Sequence, residues 1–299
     1  MTRRRRGPAA AEGTTLGAER RAGTNHVDGV PEPRGDDLPV RVLIRGAVAE
    51  IVLSRPERRN ALDVTAGVAL AEAVEEVRGR DDVRAVIVRG EGAAFCAGGD
   101  VKAMSAGAHE GRGEPVLRQI AGVVHTAIVG LTRLPKPVIA SVHGQAYGAG
   151  FSLALACDMV VASHDATFCQ AFIKLAATPD SGSTYFLPRV VGRQVASELI
   201  MLGDPVSAER AYQLGMVNRV VPRRELDGQV RDLAERLARG PAQAYARAKQ
   251  LIAASAHAGL EQQLENERIS LGECARTEDF LEGVDAFVNK RVAVFGATR

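Results

Sequence analysis

The chain has 299 residues, 46% of them hydrophobic, which is enough for one large domain with a substantial core. The 38 Lys and Arg residues nearly balance the 36 Asp and Glu residues, and a net charge of +2 argues against a nucleic-acid partner. The four cysteines are widely separated and no apolar run reaches ~18 residues, so we expect a cytoplasmic protein without a metal site, disulfide framework or membrane span.

Residues 1–38 are predicted to form a disordered tail. This stretch is rich in Gly, Ala, Arg, Pro and acidic residues and has few large aliphatic side chains. It therefore cannot bury enough apolar surface to offset the entropy lost on ordering. The basic run MTRRRR suggests one alternative, an arm for an anionic partner, whereas an export signal would need an apolar segment after this run.

Ordered structure is expected from residue 39 onwards. The segments VRVLI and AEIVLS, separated by RGAV, indicate a β-hairpin, and RPERRNALD (55–63) then turns the chain. Helical spacing of apolar residues follows over Val64–Val77, and a short buried strand over 84–90. A glycine-rich loop, EGAAFCAGGD, occupies 91–100.

The chain then alternates between helices and strands. A helix over Val116–Leu134 is stopped by Pro135 and Pro137, and the strand PVIASVHG follows. A helix over Ser152–Cys157 and the strand MVVAS come next. The remainder is predicted to be almost entirely helical, with one strand at 216–221 and helices over 183–191, 193–202, 207–214, 223–239, 241–255, 259–275 and 279–290.

This alternation predicts an α/β core over 39–222, built on a mostly parallel sheet. The run of helices after it predicts a C-terminal helical region over 223–299. Apolar residues such as Leu226, Val230 and Phe287 fall on more than one face of these helices. Helices of that kind usually pack against more than their own domain, so we expect a subunit interface here.

Two glycine turns follow strands and offer free amide groups. They are FCAGGD (95–100) and GAG (148–150), and the second opens a helix, whose first N–H groups lack intrahelical partners. If the turns face each other, two N–H donors converge on one oxygen and stabilise an oxyanion or enolate. Taken singly, each turn has a simpler interpretation as a tight connection, and neither matches a phosphate-binding motif.

Five motifs in the same order resemble the enoyl-CoA hydratase/isomerase (crotonase) family. They are FCAGGD, PKPVIASVHGQAYGAGFSLALACD, PDSGSTYFLPRVVG, GMVNRVVP and EGVDAFVNKRVAVF, and the resemblance extends from Val40 to Phe295. It implies a spiral of ββα units with a C-terminal helical trimerisation region, and a homotrimer or homohexamer. It also implies an acyl-CoA thioester substrate, with no cofactor beyond the coenzyme A that the substrate carries.

The resemblance also implies site residues. The oxyanion amides fall on Gly99 and Ala149, where they would bind the thioester oxygen and stabilise an enolate. Tyr147 is expected at the acyl pocket. Further substrate contacts are implied at Ala97, at Arg58 and Ala61 in the turn beside the CoA nucleotide, and at Phe287 and Lys290 near the CoA phosphates. Lys290 has an alternative interpretation as a solvated surface charge.

The two glutamates of family hydratases are missing. Their positions fall on Ser152 and Phe172, and Phe cannot act as a general base while Ser cannot do so unaided. Asp180 in TPDSG resembles the acid of a subgroup of double-bond isomerases that includes enzymes of phenylacetate breakdown. That subgroup also has an aromatic residue after Gln-Ala, as in Gln170-Ala171-Phe172. Asp180 is therefore either the base that shuttles a proton or a helix N-cap bonding the Ser183 N–H.

The remaining polar residues of these motifs have mainly structural interpretations. Ser152 either bonds the substrate or fills a small space, Asp100 is expected to brace the first turn, and His143 is expected to be structural. The sequence favours an enoyl-CoA isomerase with Asp180, Gly99 and Ala149 as catalytic groups. The alternatives are hydratase-like activity, another reaction of the family such as thioester hydrolysis, decarboxylation or specialised metabolism, and an inactive acyl-CoA binder.

Overall fold

A computed structural model describes residues 38–296, so most of the predicted tail lies outside the described residues. In chain order, the strands are β1 Val40–Arg45, β2 Val48–Leu53, β3 Ala85–Gly90, β4 Val138–Val142, β5 Gln145–Tyr147, β6 Met159–Ser163, β7 Thr167–Cys169, β8 Val206–Ser207 and β9 Arg219–Val221. The helices are α1 Val64–Arg78, α2 Val101–His109, α3 Gly113–Arg133, α4 Ala149–Leu155, α5 Ser183–Val191, α6 Arg193–Leu202, α7 Ala208–Gln213, α8 Leu226–Ala238, α9 Ala242–Ser255, α10 Leu260–Cys274 and α11 Glu278–Val288.

The main sheet has six strands in the order β1-β2-β3-β4-β6-β9. The predicted hairpin is confirmed, because β1 pairs antiparallel with β2 and Val40 lies opposite Leu53. All other neighbouring pairs in this sheet are parallel, as the alternation of helices and strands predicts. Parallel strands are covered on both faces, which explains why a strand such as VIASV is buried throughout and mostly apolar.

Helices cover the two faces of the sheet differently. On one face, α1 packs against β1, β2 and α3. On the other face, α8 packs against β2, β3, β4 and β6, and Leu226 and Val230 meet Ile87 and Ile139 in a separate apolar cluster. The domain boundary predicted at residue 223 places α8 in the C-terminal region. In the structure, the apolar side of α8 packs on the second face of the main sheet, so α8 is part of the core.

The structure contains elements that the sequence does not predict. A second sheet is formed by β5, β7 and β8, which are two or three residues long and too short to show a period. Helix α2 lies in a segment for which the sequence predicts neither a helix nor a strand. Its formation follows from two tertiary features: the Asp100 side chain caps its first turn, and Gly107 packs closely against Val116 of α3.

Helix α3 has the length and composition of a membrane span, with 21 residues. Its buried side chains, among them Ile120, Val124 and Leu131, belong to the main core cluster and pack towards α1. The described structure therefore uses the apolar stripe of α3 as a core face.

Candidate active site

The two glycine turns are joined by main-chain hydrogen bonds. Strand β3 ends at Gly90, and the following loop is held by the buried Asn60 amide, which donates to the Glu91 and Ala94 carbonyls at 2.9 and 2.8 Å. The Cys96 amide then donates to the Gln145 carbonyl, and the Tyr147 amide donates to the Cys96 carbonyl, each at 2.9 Å. The chain that leads into one turn is thus paired with the chain that leads into the other.

The turns approach so closely that they need glycine. A Cβ atom on Gly98, whose φ is +95°, would lie 2.7 Å from the Tyr147 carbonyl oxygen and 3.5 Å from the Ala149 amide nitrogen. A Cβ on Gly150 would collide with the Cys96 carbonyl. These glycines allow main chain to contact main chain, which no other residue type permits at this distance.

The amides of Gly99 and Ala149 both remain available to a ligand. Leu62 donates to the Gly98 carbonyl and accepts from the Asp100 amide, so the Gly99 amide between them points away from Leu62. Ala149 is the first residue of α4, where an amide has no intrahelical acceptor. Both residues line the same cavity, so the structure brings this predicted pair together.

Asp100 braces the first turn. Its carboxylate accepts from the Lys102 and Ala103 amides and from Arg58 at 2.8 Å, with Arg55 at 3.4 Å. Burial acts to raise the pKa of Asp100, but the Arg58 hydrogen bond, the Ala103 amide and the two positive charges outweigh it and hold this pKa below its usual value. Asp100 is therefore ionised at neutral pH, and the turn depends on its charge.

We expect Asp100→Asn to lower the free energy of unfolding by about 1–3 kcal/mol, because it keeps a capping oxygen but removes the charge that faces Arg55 and Arg58. A carboxyl with a lowered folded pKa stabilises the protein above its unfolded pKa, about 3.9, and this contribution is lost as pH falls through the folded pKa. Urea unfolding near pH 7 should therefore separate the two proteins, and the difference between them should be smaller near pH 3. An equal difference at both pH values would contradict this role.

A cavity of about 670 Å³ opens from the two turns. Its lining is mainly apolar and includes Leu62, Ala97, Met104, Leu117, Ile120, Val124 and Phe172. Asp180 is the only acidic residue among the described residues that line it, and Arg118 and Lys174 are the cations. The predicted site residues Gly99, Ala149, Ala97, Phe172 and Asp180 all meet in this cavity.

Asp180 is held through both its main chain and its side chain. Its carbonyl accepts from the Ser183 amide at 3.1 Å, while its carboxylate Oδ1 lies 2.6 Å from His125 Nε2. The prediction that the Asp180 side chain caps α5 is therefore wrong, because the carbonyl makes the bond to the Ser183 amide and the N-cap position is Gly182. The carboxylate faces α3 and the cavity instead.

Ser152 is not a substrate contact, so that prediction is corrected. Its side chain is fully buried, and its Oγ lies 2.5 Å from Ser183 Oγ and 3.2 Å from the Asp180 carbonyl oxygen. The alternative prediction, that Ser152 fills a small buried space, agrees with its packing. Its hydroxyl also contacts Ser183, next to the loop that carries Asp180.

The other predicted contacts lie outside the cavity. Tyr147 lies on β5, where its hydroxyl accepts from Thr167, and Ala61 is buried with its carbonyl bonded to Arg55. Arg58 is half exposed and pairs with Asp100. Phe287, which is 87% exposed, and Lys290 lie at the end of α11, apart from this cavity in the same chain.

Buried groups beside the turns are neutral and structural. Burial, and to a lesser degree the charge of Arg223, lower the pKa of His143, whose Nε2 lies 3.0 Å from the Gly92 carbonyl. A neutral ring that donates to this carbonyl fits the structural role predicted for His143. Burial raises the pKa of the Cys96 thiol to about 12, so this thiol is protonated and packs as an apolar group.

His125 is the site residue that the sequence does not reveal. It lies on α3 directly after Val124, which lines the cavity, and 55 positions before its partner Asp180. The only signal in the sequence is a polar residue at the edge of an apolar helical stripe. Because both the helix and the loop must be placed before these residues meet, no local pattern links them.

The geometry suits chemistry on a carbonyl compound. The two residues with free main-chain amides, Gly99 and Ala149, line a mainly apolar cavity, and the carboxylate of Asp180 lines the same cavity. Donors of this kind stabilise negative charge on a carbonyl oxygen, and a carboxylate can remove a proton from an adjacent carbon. A spiral α/β core with two paired glycine turns at the site defines the crotonase fold.

The chain belongs to the enoyl-CoA hydratase/isomerase family. The sequence model of the family described as Enoyl-CoA hydratase/isomerase matches residues 44–298. The chain is 39% identical to a probable enoyl-CoA hydratase of Rhodobacter capsulatus, over 84% of this chain and 95% of that protein. It is 36% identical to the 1,2-epoxyphenylacetyl-CoA isomerase of Escherichia coli, over 84% of this chain and 96% of that protein. The crystal structure of an enoyl-CoA hydratase from Polaromonas sp. JS666 superposes with a TM-score of 0.81 at 37% identity, covering 85% of this chain and 98% of that one.

Proposed function

We propose that the protein is an enoyl-CoA double-bond isomerase that works through a thioester enolate. The observation that carries this proposal is the single carboxylate: Asp180 is the only acid among the described residues that line a cavity containing both oxyanion amides. Addition of water requires groups that hold the water and exchange two protons with the reactants, whereas isomerisation requires one group that removes a proton and returns it.

The proposed reaction moves one proton within the acyl group. With a 3-enoyl-CoA, Asp180 takes a proton from the carbon beside the thioester, and the electrons of that C–H bond move into a dienolate. The charge that develops on the thioester oxygen is stabilised by the amides of Gly99 and Ala149. Asp180 then returns the proton two carbons further along the chain, which leaves the conjugated 2-enoyl-CoA. The mainly apolar wall, with Leu117, Ile120 and Phe172, suits the acyl chain.

Incubation of the purified protein with 3-enoyl-CoA and, separately, with 2-enoyl-CoA tests this proposal. We expect conversion of the 3-enoyl to the 2-enoyl ester and no rapid formation of 3-hydroxyacyl-CoA. Chromatography of the products measures both. Hydration of the 2-enoyl ester at ordinary enzyme rates without isomerisation would make the protein a hydratase, which is the activity in the name of the Rhodobacter capsulatus relative.

The proposal includes no cofactor, because the proton transfer needs only the coenzyme A that the substrate carries. It also includes a cytoplasmic location, which the four free cysteines support, since a reducing compartment keeps thiols unpaired. An inactive acyl-CoA binder would have the same fold, and it is distinguished from an isomerase by binding acyl-CoA without turnover of either ester.

A homotrimer or homohexamer is part of the same proposal. Large apolar side chains are exposed along α9 to α11, among them Ile252 at 73%, Leu281 at 67% and Val288 at 71%. Exposed apolar area of this kind usually marks an interface between subunits. We expect Leu281→Arg to reduce the assembled mass to that of smaller species in size-exclusion chromatography with light scattering. A wild-type chain that elutes as a monomer would contradict the proposal directly.

A further inference from the structure

The Asp180 carboxylate has a second partner that is not part of the proposed reaction. His125 Nε2 lies 2.6 Å from Asp180 Oδ1, and the two side chains are 52% and 34% exposed. Asp180 lines the cavity, whereas His125 does not, so the histidine contacts the carboxylate without lining the substrate space. We propose that His125 is a positioning residue for Asp180, an inference that rests on the proposed function of Asp180 as the base.

The two oxygens of the carboxylate have unequal surroundings. Oδ1 is 2.6 Å from His125, while the hydrogen-bond partner of Oδ2 among the described residues is Ser181 Oγ at 3.3 Å. A short hydrogen bond to a carboxylate oxygen is much stronger than one at 3.3 Å. His125 therefore occupies Oδ1 and leaves Oδ2 as the oxygen that accepts the substrate proton.

Hydrogen bonds hold the main chain at Asp180, so only its side-chain torsions can still rotate. Its carbonyl accepts from the Ser183 hydroxyl at 2.7 Å and from the Ser183 amide, and the Ser152 hydroxyl lies 2.5 Å from the Ser183 hydroxyl. The next residue, Ser181, is buried with φ at 56°, a conformation that a serine adopts only when its surroundings impose it. The hydrogen bond to His125 restricts this side-chain rotation and holds the carboxylate towards the cavity.

Helix α3 gives His125 a rigid base. Leu117 and Ala121 of the same helix line the cavity, and buried residues of α3 pack in the core against α1. The histidine therefore has a fixed position relative to the substrate space. Its hydrogen bond to Asp180 fixes the carboxylate in turn. Such positioning matters because a shift of the reacting group by about 1 Å costs on the order of 100-fold in rate.

A second histidine–carboxylate pair provides a matched control. His164 Nδ1 lies 2.7 Å from Glu209 Oε1, with side chains 57% and 51% exposed, and neither residue lines the cavity. This pair has the same chemistry and similar exposure. Loss of a histidine from it should leave the reaction unchanged.

The experiment compares wild type with His125→Leu, His125→Gln and His164→Leu. Two assays are used: isomerisation of 3-enoyl-CoA, and exchange of the protons beside the thioester of a saturated acyl-CoA in D₂O. We expect His125→Leu to lower kcat and the exchange rate by roughly 10- to 100-fold and to change KM by less than about threefold. His125→Gln retains an N–H donor and should recover to within about fivefold of wild type, while His164→Leu should match wild type.

The outcomes separate this inference from the proposed function. If wild type isomerises and His125→Leu does so at the same rate, or if His125→Gln is as impaired as His125→Leu, His125 does not position the base. If wild type exchanges protons but does not isomerise, the proposed function fails and the exchange rates still decide the role of His125. A wild type with neither activity overturns both.

Discussion

Replacement of Asp180 by Asn is expected to lower kcat for isomerisation by about 10²- to 10⁴-fold. The reason is that the cavity contains no other acid among the described residues, so no neighbouring group can take over the proton. Asn has the same shape and can still accept the hydrogen bond from His125, so the site should keep its structure. Steady-state kinetics with 3-enoyl-CoA, together with a thermal unfolding curve, measures the effect.

The exposed acid Asp204, which does not line the cavity, provides the control for this substitution. Asp204→Asn removes the same charge at a distance from the substrate, and we expect it to leave kcat unchanged. Unchanged turnover in Asp180→Asn would mean that the carboxylate has only a structural role, and the mechanism proposed for this site would be wrong.

Removal of the Ala149 N–H should cost on the order of 10²- to 10³-fold in kcat, or about 3–4 kcal/mol of barrier. Ala149→Pro accomplishes this, because a proline is tolerated at the first position of a helix and carries a ring carbon on the nitrogen in place of the amide hydrogen. The affinity for a saturated acyl-CoA should change much less than kcat, since the full charge develops only in the enolate.

Ala149→Gly is the matched variant, because it removes the methyl group and keeps the N–H. We expect it to retain activity within a few-fold of wild type. If Ala149→Pro folds, binds acyl-CoA and turns over normally, the amide is not an oxyanion donor. If both variants fail equally, the effect arises from the side chain and not from the amide.

The helical content of the chain was largely predictable from its local pattern. The helices at Ser183–Val191 and Arg193–Leu202 coincide with their predicted bounds, and the β1–β2 hairpin forms as expected. Long segments with a regular apolar period carry their own signal, which tertiary contacts seldom reverse. Helix α2 was missed because its stability comes from the Asp100 cap and from contact with α3, which lie outside its own residues.

By itself, the sequence determined the family and the two glycine turns, and the resemblance to that family predicted Ser152 and Phe172 at the positions of the hydratase glutamates, since all of these are residue identities at fixed spacings. Only the tertiary structure decided which side chains meet. It placed Ser152 in the core beneath Asp180, kept Tyr147 out of the cavity, and set His125 against Asp180. The reason is physical: a contact between a helix and a loop 55 positions apart is fixed by how the core packs, and neither segment carries that information alone.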